Sequence, residues 1–201
     1  MRHPPFRQTR AVPSPFLYFA DDRLSTAELS AACLDGHLVG LGDAYIPADA
    51  VETAALRAGS LREMLRDTLA ATHVSAAWIH SARHDPPGRH TVQRAVQRRL
   101  HHVHGLRLVY RDLAVDPADL LSIGGVLVTT LVRTLADVAR VDDPEHLDAA
   151  RALAAAHPGL ADDAIRWIES HGRLPNKRSA LVLLHALSRG QDDTGQEDVT
   201  R

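Results

Sequence analysis

The stretch Ile123-Gly124-Gly125-Val126-Leu127-Val128-Thr129-Thr130-Leu131-Val132-Arg133-Thr134-Leu135-Ala136-Asp137-Val138-Ala139-Arg140 decides the fold, because its character changes partway along. Residues 123–129 form an aliphatic, β-branched run that reads as a strand, with Gly124-Gly125 as a tight turn. From Thr130 to about Arg140 the spacing predicts a helix. On that helix Arg133 and Asp137 stand at i and i+4, a spacing worth about 0.3 to 0.5 kcal/mol for an exposed pair. A buried, fold-fixing ion pair is the expected role, and Arg140 continues the same face.

Working upstream, Leu106 to Arg111 alternates, with Leu106, Leu108 and Tyr110 on one face and Arg107, Val109 and Arg111 on the other. It reads as a strand beside a second one over Thr91 to Arg99, after the Pro86-Pro87-Gly88 break. A short helical turn is expected around Ala76 to His80. Ser60-Leu61-Arg62-Glu63 has the form of a capping box, and Leu61, Met64, Leu65 and Leu69 follow at helical spacing, so a helix is expected over 60–72. Further back, Ser25-Thr26-Ala27-Glu28 is another capping box, opening a helix that Gly36 can end. A hairpin follows, Leu38 to Leu41 and Ala44 to Ile46 about a Gly42-Asp43 turn. Pro4, Pro5, Pro13 and Pro15 make residues 1–15 an irregular arm.

Downstream, helices are expected over Pro144 to His157 with Asp143 as cap, Leu160 to Ser170, and Asn176 to Arg189. Residues 190–201 are polar and acidic without apolar periodicity, the composition of a disordered tail. The fold class is therefore α+β. Residues 1–50 form the arm and a degenerate winged-helix segment, 51–141 an α/β core with a small sheet, 142–189 C-terminal helices, and 190–201 the tail.

Composition narrows the function. The single cysteine, Cys33, excludes a disulfide framework and a cysteine-rich zinc site, as expected for a reducing cytoplasm. No run approaches the roughly 20 apolar residues of a membrane span, and no export signal is evident. The net charge of -2 is unevenly spread. Arg83, Arg89, Arg94, Arg98, Arg99, Arg107 and Arg111 face a single acid, Asp85, over 83–111. In contrast, 24–56 holds Glu28, Asp35, Asp43, Asp49 and Glu52 with no Lys or Arg.

The run Val128 to Arg140, preceded by Gly124-Gly125, resembles the signature of the AbiEi-type antitoxins of bacterial toxin-antitoxin pairs, whose relatives include the mycobacterial MenA antitoxins. Ala76-Ala77-Trp78-Ile79-His80, Pro86-Pro87, Thr91-Val92 and Gly105-Leu106-Arg107-Leu108-Val109-Tyr110-Arg111 are similar to that family in order as well, and Leu38 to Pro47 resembles its wing. The resemblance implies a winged-helix segment that represses the operon, an α/β antitoxin domain, and a nucleotidyltransferase-fold toxin as partner. The chain departs from the pattern before Ser25, where 24 residues are too few for the two helices that precede a recognition helix. Phosphate neutralisation by basic residues dominates DNA affinity, so DNA binding through 24–56 is disfavoured.

Arg94, Arg98, Arg99, Arg107 and Arg111 are the candidate partner-binding residues, since arginine's planar fork grips carboxylate or phosphate. The plainer reading is a solvated basic face. His80, His84 and His90, or His101, His102 and His104, lack metal-site spacing and read as structural or solvated, so neither metal nor cofactor is expected. No GxSxG, Walker-type loop or GxGxxG occurs, and acid pairs such as Asp162-Asp163 suit helix starts. The chain is accordingly read as a non-enzymatic antitoxin, ahead of a DNA-binding autorepressor and, last, a nuclease-like enzyme.

Overall fold

The computed structural model describes residues 15–101, 103 and 105–197. Residues 1–14, most of the expected arm, and 198–201 lie outside the described residues. The chain divides into two compact units, one running to Met64 and taking in Ser122–Val126, the other holding Leu65–Leu121 and everything from Leu127 onward. The C-terminal helices fall in the same unit as residues 65–121.

In the first unit, helix α1 (Thr26–Leu34) opens with the expected capping box. The Ser25 backbone N–H donates to Glu28 at 2.8 Å and the Glu28 N–H donates to the Ser25 hydroxyl at 3.3 Å. The Ser25 N–H and, at 2.7 Å, the Ser25 hydroxyl both donate to the Glu28 carboxyl and hold it below its ordinary range. Strands β1 (Leu38–Leu41) and β2 (Ala44–Pro47) pair antiparallel with Leu41 opposite Ala44, so Gly42-Asp43 is the turn. Gly42 supplies the positive φ, +58°, that the turn requires. Tyr18 exchanges two 2.9 Å backbone hydrogen bonds with Tyr45 of β2.

The helix expected over 60–72 does not form. Helix α2 (Ala54–Ser60) ends where that helix was to begin, and the Ser60 hydroxyl donates back to the Arg57 carbonyl at 2.7 Å instead of capping a new helix. A single turn, α3 (Arg62–Leu65), follows, and Arg66 then breaks the path with φ +48°. Leu69, Ala70 and Ala71 become strand β3 (Leu69–Ala71), wholly buried in the middle of a sheet. Tertiary burial overrides the local helical spacing there.

Helix α4 (His73–Ile79) follows, then β4 (His90–Arg94), β5 (Leu108–Ala114), a 3-10 turn (Pro117–Asp119), β6 (Leu120–Ile123) and β7 (Val126–Thr129). The sheet order is β5-β4-β3-β7-β6, with β3 parallel to β7, antiparallel to β4, and β4 parallel to β5. Three expectations are corrected here. The Ile123 to Thr129 strand is split by Gly124-Gly125, both at positive φ, into β6 and β7. The second strand expected over Thr91 to Arg99 stops at Arg94, beyond an irregularity in register at Gln93/Arg94. The strand expected from Leu106 starts at Leu108.

From Thr130 the chain is helical: α5 (Leu131–Val138), α6 (Pro144–Ala156), α7 (Leu160–Ser170) and α8 (Lys177–Glu197). The Thr130 hydroxyl accepts from the Arg133 N–H and the Asp143 carboxylate from the His146 N–H, which starts α5 and α6. Lys177 donates to the His171 carbonyl at 2.6 Å, at the end of α7. Helix α8 continues to Glu197, past residue 190 where a disordered tail was expected. Alanines dominate the shared core, Ala77, Ala136, Ala149, Ala150, Ala164 and Ala180 packing with Leu135, Leu153, Ile168 and Leu184.

Gly124 has no room for a side chain, since a Cβ would lie 2.2 Å from the Ala55 carbonyl oxygen at a φ of +55°. Gly124→Ala is expected to lower the unfolding free energy by about 2 kcal/mol or more in denaturant titration, given the left-handed penalty of roughly 1 to 2 kcal/mol before any clash. Gly88→Ala, with nothing within 4 Å of its Cβ, is expected to stay within about 0.5 kcal/mol of wild type.

Candidate functional site

The strand-to-helix junction delivers Arg133 and Asp137 into the second unit, and both are buried. The Arg133 Nε donates to Asp137 Oδ2 at 3.0 Å, as the i, i+4 spacing predicts. The guanidinium does more than that. Its Nη1 donates to Asp119 Oδ2 at 2.9 Å and its Nη2 to Gln93 Oε1 at 3.3 Å, while its face lies 4.9 Å from the Trp167 ring centroid. Trp167 Nε1 donates to the other Asp119 oxygen at 2.9 Å. Arg140 donates through Nη2 to Asp137 Oδ1, and the Asn176 side-chain amide donates to the Arg140 carbonyl at 2.9 Å.

The electrostatics follow from that packing. Burial raises the cost of charging Asp137, yet His73, Arg133 and Arg140 outweigh it and hold the carboxyl below its ordinary value. Burial also works against Arg133, but Asp137 and Asp119 keep it charged. His73 sits 4.0 Å from Asp137, and burial pushes its imidazole down to about 4 despite that carboxylate, with Arg111 and Arg140 adding to the fall. At neutral pH the imidazole is therefore uncharged and Arg133 and Arg140 balance Asp137; His73 adds its attraction only as it takes up a proton at low pH.

A cavity of about 500 Å³ opens beside this network, with His73, Arg111, Arg133, Asp137, Arg140 and Arg173 in its wall. Arg111 comes from β5, Arg173 from the segment between α7 and α8. Neither side chain makes a hydrogen bond or ion pair with the described residues. His73 carries a positive φ of +52°, a region in which histidine, like asparagine and aspartate, is among the more tolerated non-glycine residues.

The five candidate arginines do not share one firm sheet surface. Arg94 is buried and its guanidinium donates to the carbonyls of Val96, Gln97 and Arg98, with its Nε 2.8 Å from Asp112. It clasps the loop after β4, which is why that strand ends early. Arg98, Arg99 and Arg107 are exposed in the β4–β5 connection, Arg99 lying 3.7 Å from Asp112. Arg111 faces the cavity. Sequence reasoning missed Asp119, Gln93, His73, Arg173 and the polar role of Trp167. Gln93 sits in the polar strand His90-Thr91-Val92-Gln93-Arg94, so nothing in the sequence marked it as the buried amide that needs a partner. His80 Nε2 donates to the Thr129 carbonyl at 2.8 Å, while both ring nitrogens of His90, beside Trp78, lack a hydrogen-bond partner among the described residues. His102 and His104 lie outside the described residues. One trio of potential metal-ligand atoms occurs among the described residues, Asp143, Glu145 and His146, but Glu145 is paired with Arg83 and His146 with Asp143.

The buried imidazoles set a pH dependence. Burial lowers both His73 and His90 to about 4, so each is neutral in the fold while the unfolded chain takes up a proton near 6.5. Stability is therefore complete above about pH 6.5 and falls as the pH drops towards 4, by on the order of 3 kcal/mol per imidazole. Denaturant titrations from pH 7 to 4.5 are expected to show this loss already between pH 6 and 5, above the carboxylate range; a flat profile there contradicts the assignment.

No family model matches the chain. No curated protein matches it either. Among solved structures it is similar to the RV2827C protein of Mycobacterium tuberculosis, with a TM-score of 0.46 and 15% identity, over 85% of this chain and 66% of that one, so that it spans just under two thirds of that protein's length.

Proposed function

We propose that this chain is a non-enzymatic antitoxin that neutralises a cognate nucleotidyltransferase-like toxin by direct protein-protein contact in the cytoplasm. The resemblance in sequence order supports the reading, and one observation favours a protein partner over a nucleic acid. The β4–β5 connection presents Arg98, Arg99 and Arg107 to solvent together with Leu106, which is 97% exposed. Leu106 and Arg89 border an open groove floored by Leu108 and Tyr110. Arginine beside bare aliphatic and aromatic surface is the composition of a protein interface, where guanidiniums and buried anchors carry the affinity. A phosphate backbone offers nothing to cover a leucine.

Residues 24–56 are a poor alternative contact for DNA. Helix α1 and the β1–β2 hairpin contain no Lys or Arg, so counterion release would contribute little to binding there. Among the described residues no helix is long and apolar enough to cross a membrane.

The test is co-expression with the toxin encoded beside this chain, followed by tag pull-down and growth rescue. A complex and rescue are expected from the wild type. Arg98→Glu/Arg99→Glu/Arg107→Glu, which alters only exposed side chains, is expected to weaken the complex at least tenfold and abolish rescue while leaving the melting temperature within a few degrees. Rescue without a complex, or a complex indifferent to the triple reversal, contradicts direct contact through this surface.

A further inference from the structure

We infer that the cavity bounded by His73, Arg111, Arg140 and Arg173 is a binding site for a small phosphomonoester, holding its phosphate between the two unpaired guanidiniums. The inference does not rest on the partner proposed above; it concerns a different face of β5. Strand alternation sends Leu108 and Tyr110 to the groove and Arg111 and Leu113 to the cavity.

Charge is the first argument. Four arginines line the cavity against two aspartates, Asp137 and Asp142, and the buried pairs already consume Arg133 and Arg140 on Asp137 and Asp119. What remains is Arg111 and Arg173 against Asp142, a net single positive charge, with neither guanidinium hydrogen-bonded or ion-paired among the described residues. The excess of positive charge favours an anion, and two guanidinium forks suit the bidentate geometry that phosphate oxygens accept. The uncharged His73 imidazole adds a neutral polar group to the same wall, and Arg111 lies close enough to it to depress its basicity.

Form is the second. A volume of about 500 Å³ falls within the roughly 300 to 1,000 Å³ usual for small-molecule sites. Leu113, Leu174 and Pro175 give the cavity an apolar side, suited to the organic part of a ligand such as a mononucleoside. Arg140 is preorganised, held by Asp137 on one side and through its carbonyl by Asn176 on the other. His73 and Asn176, both in the cavity wall, hold positive φ values of +52° and +54°.

The test uses the full chain with inorganic phosphate, AMP and adenosine as probes, followed by calorimetry and by the His73 imidazole resonances. Phosphate and AMP are expected to bind and to shift His73 but not His90, and adenosine alone is expected not to bind. AMP binding more than about tenfold tighter than phosphate identifies a nucleotide, and equal affinities identify a phosphate-only site. Arg173→Gln, on an exposed segment, is expected to weaken binding about tenfold, the worth of one charged hydrogen bond. Arg111→Gln/Arg173→Gln is expected to abolish it, and Arg98→Gln/Arg99→Gln to leave it unchanged. No binding of phosphate or AMP at 10 mM (roughly the weak limit for a specific site), or binding that Arg173→Gln leaves unchanged with His73 unshifted, overturns the proposal.

Discussion

A carboxylate removed entirely from water is the constraint on which the second unit depends. Asp137 has no exposed surface, so its charge survives only because Arg133 and Arg140 each donate to one of its oxygens. The cost of desolvating such groups is several kcal/mol per ion, which makes the pair worth little as a net gain but expensive to break. Its value lies in what it orients. Arg133 reaches Gln93 on β4, Asp119 in the 3-10 turn and the ring of Trp167 on α7, so one side chain ties the sheet, the turn and two helices. A mispacked α5 would strand that guanidinium and both carboxylates without partners.

The same arrangement shapes the surface. Arg140 leaves α5 at the cavity and is fixed there by Asp137, while Asn176 anchors the segment that carries Arg173. Strand β5 is the outermost strand of its sheet on that side, and its alternation separates an apolar groove from a basic cavity. Two surfaces of different chemistry thus arise from one strand. The clasp of Arg94 on the loop carbonyls frees Arg98 and Arg99 for solvent, because it meets the hydrogen-bonding needs that a longer strand would have met.

Much of this was legible in the residues. The switch at Thr130 from strand to helix, the Arg133–Asp137 spacing, the Ser25 capping box and the Gly42-Asp43 turn are local features, set by near neighbours. The opposed faces of Leu108/Tyr110 and Arg111 also follow from period-two alternation, although the strand starts two positions later than the pattern suggested. What escaped the sequence was non-local. Ser60 fits a capping box as well as it fits the last turn of α2, and only the burial of Leu69 to Ala71 between β4 and β7 decides the matter. Asp119 and Trp167 carry no pattern that links them to residue 133. Arg94 resembles the arginines around it, and burial alone distinguishes it.

A double-mutant cycle on Arg133→Met and Asp137→Leu, read by denaturant unfolding at pH 7, tests most directly whether this buried pair organises the unit. Each single variant leaves the buried network short of a charge, Asp137 with Arg140 alone or Arg133 with Asp119 alone, for which the account predicts a loss of about 3 to 5 kcal/mol. The double variant is predicted to recover at least about 2 kcal/mol of the summed loss, with the Trp167 environment still native-like by near-ultraviolet circular dichroism. Additive losses would contradict the account, because they would show the two residues stabilising the fold independently.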